Sequence, residues 1–279
     1  MSKLENILWN VLGGILAGLA LIGLERLYRY LRAWKFRSFF GVDESYFIIY
    51  TLYNAPTCPK NDSECKLLFG KTSRKNAGSK VGSGINLHQV ASIASTKGVG
   101  YLVEAFSRNM RKAPNIAADV DTNVMVKMNI SFVAVGGKTN YKSSDLLNNP
   151  SNVFLHFEGN KIICPVSKEI IAKLEGAKPG DDIGLIVKIH PDANPERTWI
   201  CCAGFGITGT VGTTYYLSRK WRKLKKYAGR GQFGCVLSCP SISEEDTKLM
   251  RIVMQRKNPK LDWIRSWRAR RDGIEVTLV

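Results

Sequence analysis

The stretch AGFGITGTVGTTYYLSRKWRKLKKY, residues 203–227, carries Gly204, Gly206, Gly209 and Gly212 out of an apolar run and straight into a helix-forming segment. A strand enters this turn and a helix leaves it. Upstream, IGLIVKI (183–189) and TWICCAG (198–204) are short and continuously apolar, as strands covered on both faces of a sheet are. Downstream, QFGCVLSC (232–239) reads as the last strand, with a helix expected around Glu244 to Gln255. Strands alternating with helices imply an α/β domain built on a mostly parallel, Rossmann-like sheet.

The same alternation extends towards the amino terminus. YFIIYTLY (46–53) is β-branched and aromatic and reads as the first strand. Residues 54–86, with their prolines, glycines and lysines, read as a loop insertion. From Leu87 to Met110 apolar positions recur at helical spacing, with a break expected at Gly98. VMVKMNISFVAVGG (124–137) reads as a strand ending in a glycine pair, followed by a helix capped near Thr139 or Asn140. NVFLHFEG and KIICPVS suggest a hairpin near 152–168 turning at Gly159 and Asn160.

Gly204, Gly206 and Gly209 match GxGxxG, whose glycines allow a tight turn and let backbone amides approach a phosphate at the positive end of a helix. Thr208, Thr210 and Thr213 add hydroxyls beside Gly212. The alternative is a purely structural turn. A dehydrogenase fingerprint expects an acidic ribose-binding residue about twenty positions on, where this chain has Lys225, Lys226 and Arg230. NAD is disfavoured, whereas NADP or another phosphorylated ligand fits the cations. VGGKTN superficially resembles the end of a Walker A loop, but the required first glycine is Phe132. Since turns at the carboxyl edge of an open sheet converge, Gly136, Gly137, Thr139 and Asn140 are expected to face residues 204–213 across one ligand pocket.

The chain has 279 residues and a formal charge of +18, with 44% hydrophobic content, which excludes a disordered tail, a collagen and a cysteine-stapled miniprotein. A charge of that size needs an anionic partner: phospholipid, nucleotide or nucleic acid. Seven basic residues lie between Arg219 and Arg230. On a helix they cover more than one face, which suits solvent or lipid headgroups, and no reading helix or stacking motif favours nucleic acid. The seven cysteines form no CxxC pair, so no zinc site follows; Cys201, Cys202 and Cys235 read as core residues in a reduced compartment, and only Cys58 and Cys65 flank a loop where they could pair. His88, His156 and His190 are isolated, and neither HExxH nor GxSxG occurs. No catalytic residue and no metal ligand is assigned, although Asp119, Asp121 and Glu158 are acidic candidates.

Ile7 to Leu24 is an 18-residue stretch without a charge, with Trp9 near its start and Tyr28, Tyr30 and Trp34 after its end. This reads as an uncleaved single-pass transmembrane anchor, residues 1–25, followed by a basic juxtamembrane linker, 26–43. The domain then occupies 44–279. Arg26, Arg29, Arg32, Lys35 and Arg37 follow the span, which orients the domain to the cytoplasmic side of the plasma (inner) membrane. Gly14 and Gly18 form GxxxG, a pattern that lets helices pack closely and supports a homo-oligomer.

The order of apolar anchor, basic linker and Rossmann-like domain, with glycine turns at VGGKTN and GFGITGTVGT, resembles the membrane-anchored effectors of prokaryotic antiviral defence. In those proteins a CARF-like or related domain binds a cyclic oligonucleotide and the membrane part responds. The resemblance implies a nucleotide-type second messenger as ligand, a sensor rather than an enzyme, and action through association of the anchor; it assigns no individual residue. A membrane-tethered enzyme acting on a nucleotide or NADP-linked substrate, and a scaffold without ligand, are the alternatives.

Overall fold

A computed structural model describes residues 3–42, 46–54, 89–137, 139–175, 180–256 and 258–279, with the side chains of α1 described from Leu12 onward. The expected loop at 54–86 thus lies outside the described residues except for Asn54, as do His88, Cys58 and Cys65. Helix α1 (Lys3–Phe40) leads to β1 (Phe47–Tyr50), β2 (Leu52–Asn54), β3 (Gln89–Ala91), α2 (Ile93–Met110), β4 (Asn115–Ala118), α3 (Thr122–Met125), β5 (Phe132–Val135) and α4 (Tyr141–Leu147). Then follow β6 (His156–Glu158), β7 (Lys161–Ile163), β8 (Ile170–Lys173), β9 (Asp182–Ile189), β10 (Trp199–Gly204), α5 (Ile207–Ala228), β11 (Phe233–Cys239), β12 (Lys248–Met254), α6 (Pro259–Arg271) and β13 (Glu275–Leu278).

Eight strands form one sheet in the order β13-β12-β11-β9-β10-β5-β1-β4. β4, β1, β5 and β10 are mutually parallel, β9, β11 and β12 are added antiparallel, and β13 runs parallel to β12. The sheet is therefore mixed and mostly parallel, and the chain is α/β. Its continuously apolar strands are explained by alternation between two buried faces. Ile48, Val133, Val135, Ile200 and Cys202 point to one core with Phe36, Phe106 and Trp221, while Ile49, Phe132, Ala134, Trp199 and Cys201 point to the other with Leu146 and Phe154. The end of α1, α2, α5 and α6 cover the first face; α4 and a small sheet, β6-β7-β8, cover the second.

Several expectations change. Residues 124–131 are not strand: α3 ends at Met125 and β5 starts only at Phe132. The segment expected to be a helix, Glu244 to Gln255, is a short 3-10 turn and then β12, because Leu249, Ile252, Val253 and Met254 are needed to extend the sheet beyond β11. QFGCVLSC is accordingly not the last strand. α2 runs unbroken through Gly98, where a side chain would meet Val135 and Thr214. The hairpin turning at Gly159 and Asn160 is present as β6-β7 and gains β8 as a third strand.

Residues 26–40, read as a linker, continue α1 as helix. Phe36, Phe39 and Phe40 recur at i, i+3 and i+4 and bury completely, with the Phe36 ring 4.9 Å from Phe106 and 5.2 Å from Trp221. Further toward the amino terminus Leu16, Leu19, Leu21 and Leu24 are each at least 60% exposed. Among the described residues no helix is long and apolar enough to cross a membrane; the apolar run of the sequence begins at Ile7, five positions before the first described side chain.

Candidate functional site

The order of the parallel strands reverses between β1 and β5: the chain moves from β1 outward to β4 and then back to the other side of β1 for β5. Ligand sites of open α/β sheets form at such a reversal, beyond the carboxyl ends of the strands. Here that edge holds a cavity of about 490 Å³, within the usual size of a small-molecule site. Thr51 after β1, Gly136 and Gly137 after β5, and Gly204 at the end of β10 line it. Gly136 has φ +130°, and a side chain there would lie 2.5 Å from Thr51 Oγ1, so the turn needs glycine on both counts.

Three helices begin around this cavity. α2 starts at Ser92, whose Oγ accepts from the Ser95 amide at 3.0 Å. α4 starts at Asn140, whose Oδ1 accepts from the Ser143 amide at 3.0 Å. α5 starts at Gly206, which offers no side-chain cap. The cap comes instead from Asp182, the first residue of β9: its Oδ2 accepts from the Gly206 amide at 2.8 Å and from the Gly209 amide at 2.7 Å. A carboxylate therefore occupies the place that the GxGxxG reading reserves for a phosphate. Asp119 acts similarly at α4, accepting from Tyr141 N and from Leu52 N at 3.1 Å each; its burial pushes the carboxyl pKa upward.

The sequence-derived residues divide accordingly. Gly136, Gly137, Thr139, Gly204, Gly206 and Thr210 line the cavity, so the two glycine turns do meet across one pocket. Asn140 does not line it: it is fully buried and caps α4. Gly209 is sealed beneath Asp182, Gly212 packs against Cys239 and Thr247, and the buried Thr213 donates to Thr210 O at 3.0 Å. Thr208 is partly exposed at the start of α5 but is not part of the lining. The amides of Ile207 and Thr208, between the two that Asp182 holds, have no hydrogen-bond partner among the described residues.

Other lining residues escaped sequence reasoning. Ser92 and Ser95 come from α2, and Asn160 comes from the β6-β7 turn. Phe157 and Phe205 meet edge to face at 5.0 Å and form an apolar wall with Leu174 and Ile207. The positive ends of three helix dipoles converge on a space whose described lining carries no charged side chain. Hydroxyls, backbone groups and one aromatic wall can therefore hold a flat ring and hydrogen-bonding groups, with the Ile207 and Thr208 amides left for an acceptor.

The cavity connects to α1 through two elements. α5 spans 22 residues, about 33 Å, from the cavity at Gly206 to the joint with α1. There Lys225 Nζ donates to Lys35 O at 2.7 Å and to Ser38 Oγ at 2.6 Å, and Trp221 packs on Phe36, Phe39 and Phe40. β9 runs from Asp182 to the buried Lys188, whose Nζ lies 4.9 Å from the Phe39 ring centroid and donates to Arg230 O at 2.9 Å. Burial and the nearby Lys225 pull the Lys188 pKa down to about 7.

Cys164, Cys201, Cys202, Cys235 and Cys239 are free and buried, and burial pushes Cys201 and Cys239 up to about 12, which keeps the thiols protonated and unreactive. His190 Nδ1 lies 2.8 Å from Arg197 O, away from the cavity. Among the described residues no three His, Cys, Asp or Glu side chains gather as a metal site. Comparison with known proteins finds no matching family model, no matching curated protein and no matching solved structure.

Proposed function

We propose that the chain is a membrane-anchored sensor that binds a nucleotide-type ligand in the carboxyl-edge cavity and transmits occupancy to α1. The single observation that carries this reading is the position of α5, which lines the cavity with Gly206, Ile207 and Thr210 and holds α1 with Trp221 and Lys225. A nucleobase suits the Phe157 and Phe205 wall, ribose hydroxyls suit Ser92, Thr139 and Asn160, and a phosphate oxygen suits the Ile207 and Thr208 amides. A cyclic oligonucleotide presents all three groups. The cavity lining contains hydroxyls but no described histidine, cysteine, carboxylate or amine, which favours recognition over catalysis.

The membrane part of the reading rests on α1. Its described turns before residue 32 expose leucines around the helix, a surface that water does not favour and lipid does. The basic residues that follow it support a cytoplasmic orientation of the domain. At Gly14 and Gly18 no described atom beyond the adjacent helix backbone lies within 4 Å of the position a Cβ would take, so both leave room for a second copy of α1. A ligand drives such association only by binding one arrangement of the α5 to α1 joint better than another.

The test is cross-linking of full-length protein in vesicles, with and without a cyclic oligonucleotide. Ligand-dependent oligomers that vanish in Gly14→Leu/Gly18→Leu support the sensor. An oligomer distribution that no nucleotide alters would remove the proposal.

A further inference from the structure

Between α1 and the carboxyl end of α2 lies a second cavity, of about 660 Å³, bordered by Arg26, Arg29 and Arg32 from α1 and Arg108 and Arg111 from α2 and its cap. We propose that this crevice is a binding site for the phosphate headgroup of an anionic membrane lipid. The inference rests on the membrane reading of α1 and adds a specific recognition site to it.

The charges do not cancel internally. Glu25 pairs with Arg29, and Glu104 pairs with Arg108 and, at 2.7 Å, with Arg219 as well. Arg32 Nε donates at 2.9 Å to the neutral Asn109 Oδ1, which fixes its guanidinium at the crevice wall. Arg26 and Arg111 have no acidic partner among the described residues. Five guanidinium groups thus face two carboxylates, one of them shared. Guanidinium forks match phosphate oxygens in pairs, so the uncompensated groups select a phosphate over a halide or a single carboxylate.

Two features place the ligand at a membrane. Arg26, Arg29 and Arg32 recur every third residue directly after Leu24, about 3, 8 and 12 Å further along the helix axis. A headgroup layer is about 5–8 Å thick on each side of the hydrocarbon, so Arg26 and Arg29 fall within it when Leu24 marks its inner limit. Tyr28, Tyr30 and Trp34, all exposed, provide the amphipathic rings that such an interface favours. From the domain side Arg111 adopts φ +57° at the cap of α2, a conformation in which glycine is the usual residue. An arginine that accepts this backbone completes the crevice opposite α1.

The experiment floats the full chain on vesicles of phosphatidylcholine with or without phosphatidylglycerol, at low salt, and reads the phosphatidylglycerol that stays bound to the chain. Arg26→Gln/Arg111→Gln is expected to weaken phosphatidylglycerol binding by about 25-fold, at about fivefold for each basic side chain, while flotation itself stays unchanged. Lys168→Gln/Arg270→Gln, which removes the same charge elsewhere, is expected to change that binding by less than about threefold. Equal losses in both pairs, or none in the first, would overturn the crevice while leaving insertion intact. Displacement by inorganic pyrophosphate without loss of flotation would reassign the crevice to a soluble phosphate. Failure to float on either vesicle would remove the membrane reading together with the site.

Discussion

The Asp182 carboxylate and the Gly209 amide lie 27 positions apart in the chain and 2.7 Å apart in space. This bond, with its partner to Gly206, supplies the cap that α5 lacks locally and fixes the cavity wall. Asp182→Ala is expected to lower stability by about 2–4 kcal/mol, since it leaves two amides without an acceptor at a nearly buried position. Asp182→Asn retains an acceptor oxygen and should cost less than half as much. Denaturant unfolding of the two variants compares them directly.

The same contact governs substitutions in the glycine motif. A Cβ at residue 209 would lie 2.6 Å from Asp182 Oδ2 and 2.8 Å from Gly204 Cα. Gly209→Ala is therefore expected to destabilise the protein by at least about 1–3 kcal/mol, and any loss of ligand response there reports on folding. Ile207, 62% exposed and part of the lining, is the better probe. Ile207→Trp should fill the cavity while leaving the unfolding free energy within about 0.5 kcal/mol of the parent.

How far these relationships can be read from sequence differs from one to the next. The strand, turn and helix around 199–228 were legible because an apolar run, four glycines and a helical pattern follow one another locally. That the two glycine turns would share a cavity followed from the geometry of open sheets. Asp182 was not legible as a cap: Asp181 and Asp182 look like a turn before a strand, and only tertiary pairing of β9 with β10 and β11 brings the second under α5. The segment of β12 reads as a helix because EEDT precedes it, while the pairing with β11 that selects a strand is a tertiary contact without a local signal. In residues 26–40 the arginines suggested a linker and obscured Phe36, Phe39 and Phe40, although their i, i+3, i+4 spacing was there to be read.

That aromatic trio predicts a strong joint. Phe36→Ala should cost about 3–5 kcal/mol by opening a cavity among Phe40, Phe106 and Trp221. A chain truncated at residue 38 loses the same ring and should be similarly impaired, whereas one beginning near residue 29 should fold. Thermal unfolding of the three proteins checks both statements.

Lys188 gives the joint a pH dependence. Its ammonium loses its proton at about pH 7 in the folded state but at about 10.5 when solvated. The unfolded chain thus binds more protons between these values, so the burial penalty is full below pH 7 and fades as pH rises towards 10.5. Lys188→Met should abolish this rise in stability with pH. At pH 7 it should add on the order of 4 kcal/mol, less about 1 kcal/mol for the lost hydrogen bond to Arg230 O. Chemical denaturation at several pH values between 6 and 10 reads the slope.

The central claim, that the carboxyl-edge cavity binds a nucleotide-type ligand, is tested most directly by thermal unfolding of the full chain and of Ile207→Trp against cyclic oligonucleotides, NADP and nucleoside triphosphates. A ligand present at 100 times its dissociation constant stabilises the native state by about 2.7 kcal/mol, an upward shift of roughly 5–10 °C for a protein of this size. The expected result is such a shift with one ligand class in the parent and its loss in Ile207→Trp. No shift across these ligands, or one of equal size in the variant, would contradict the assignment of the cavity.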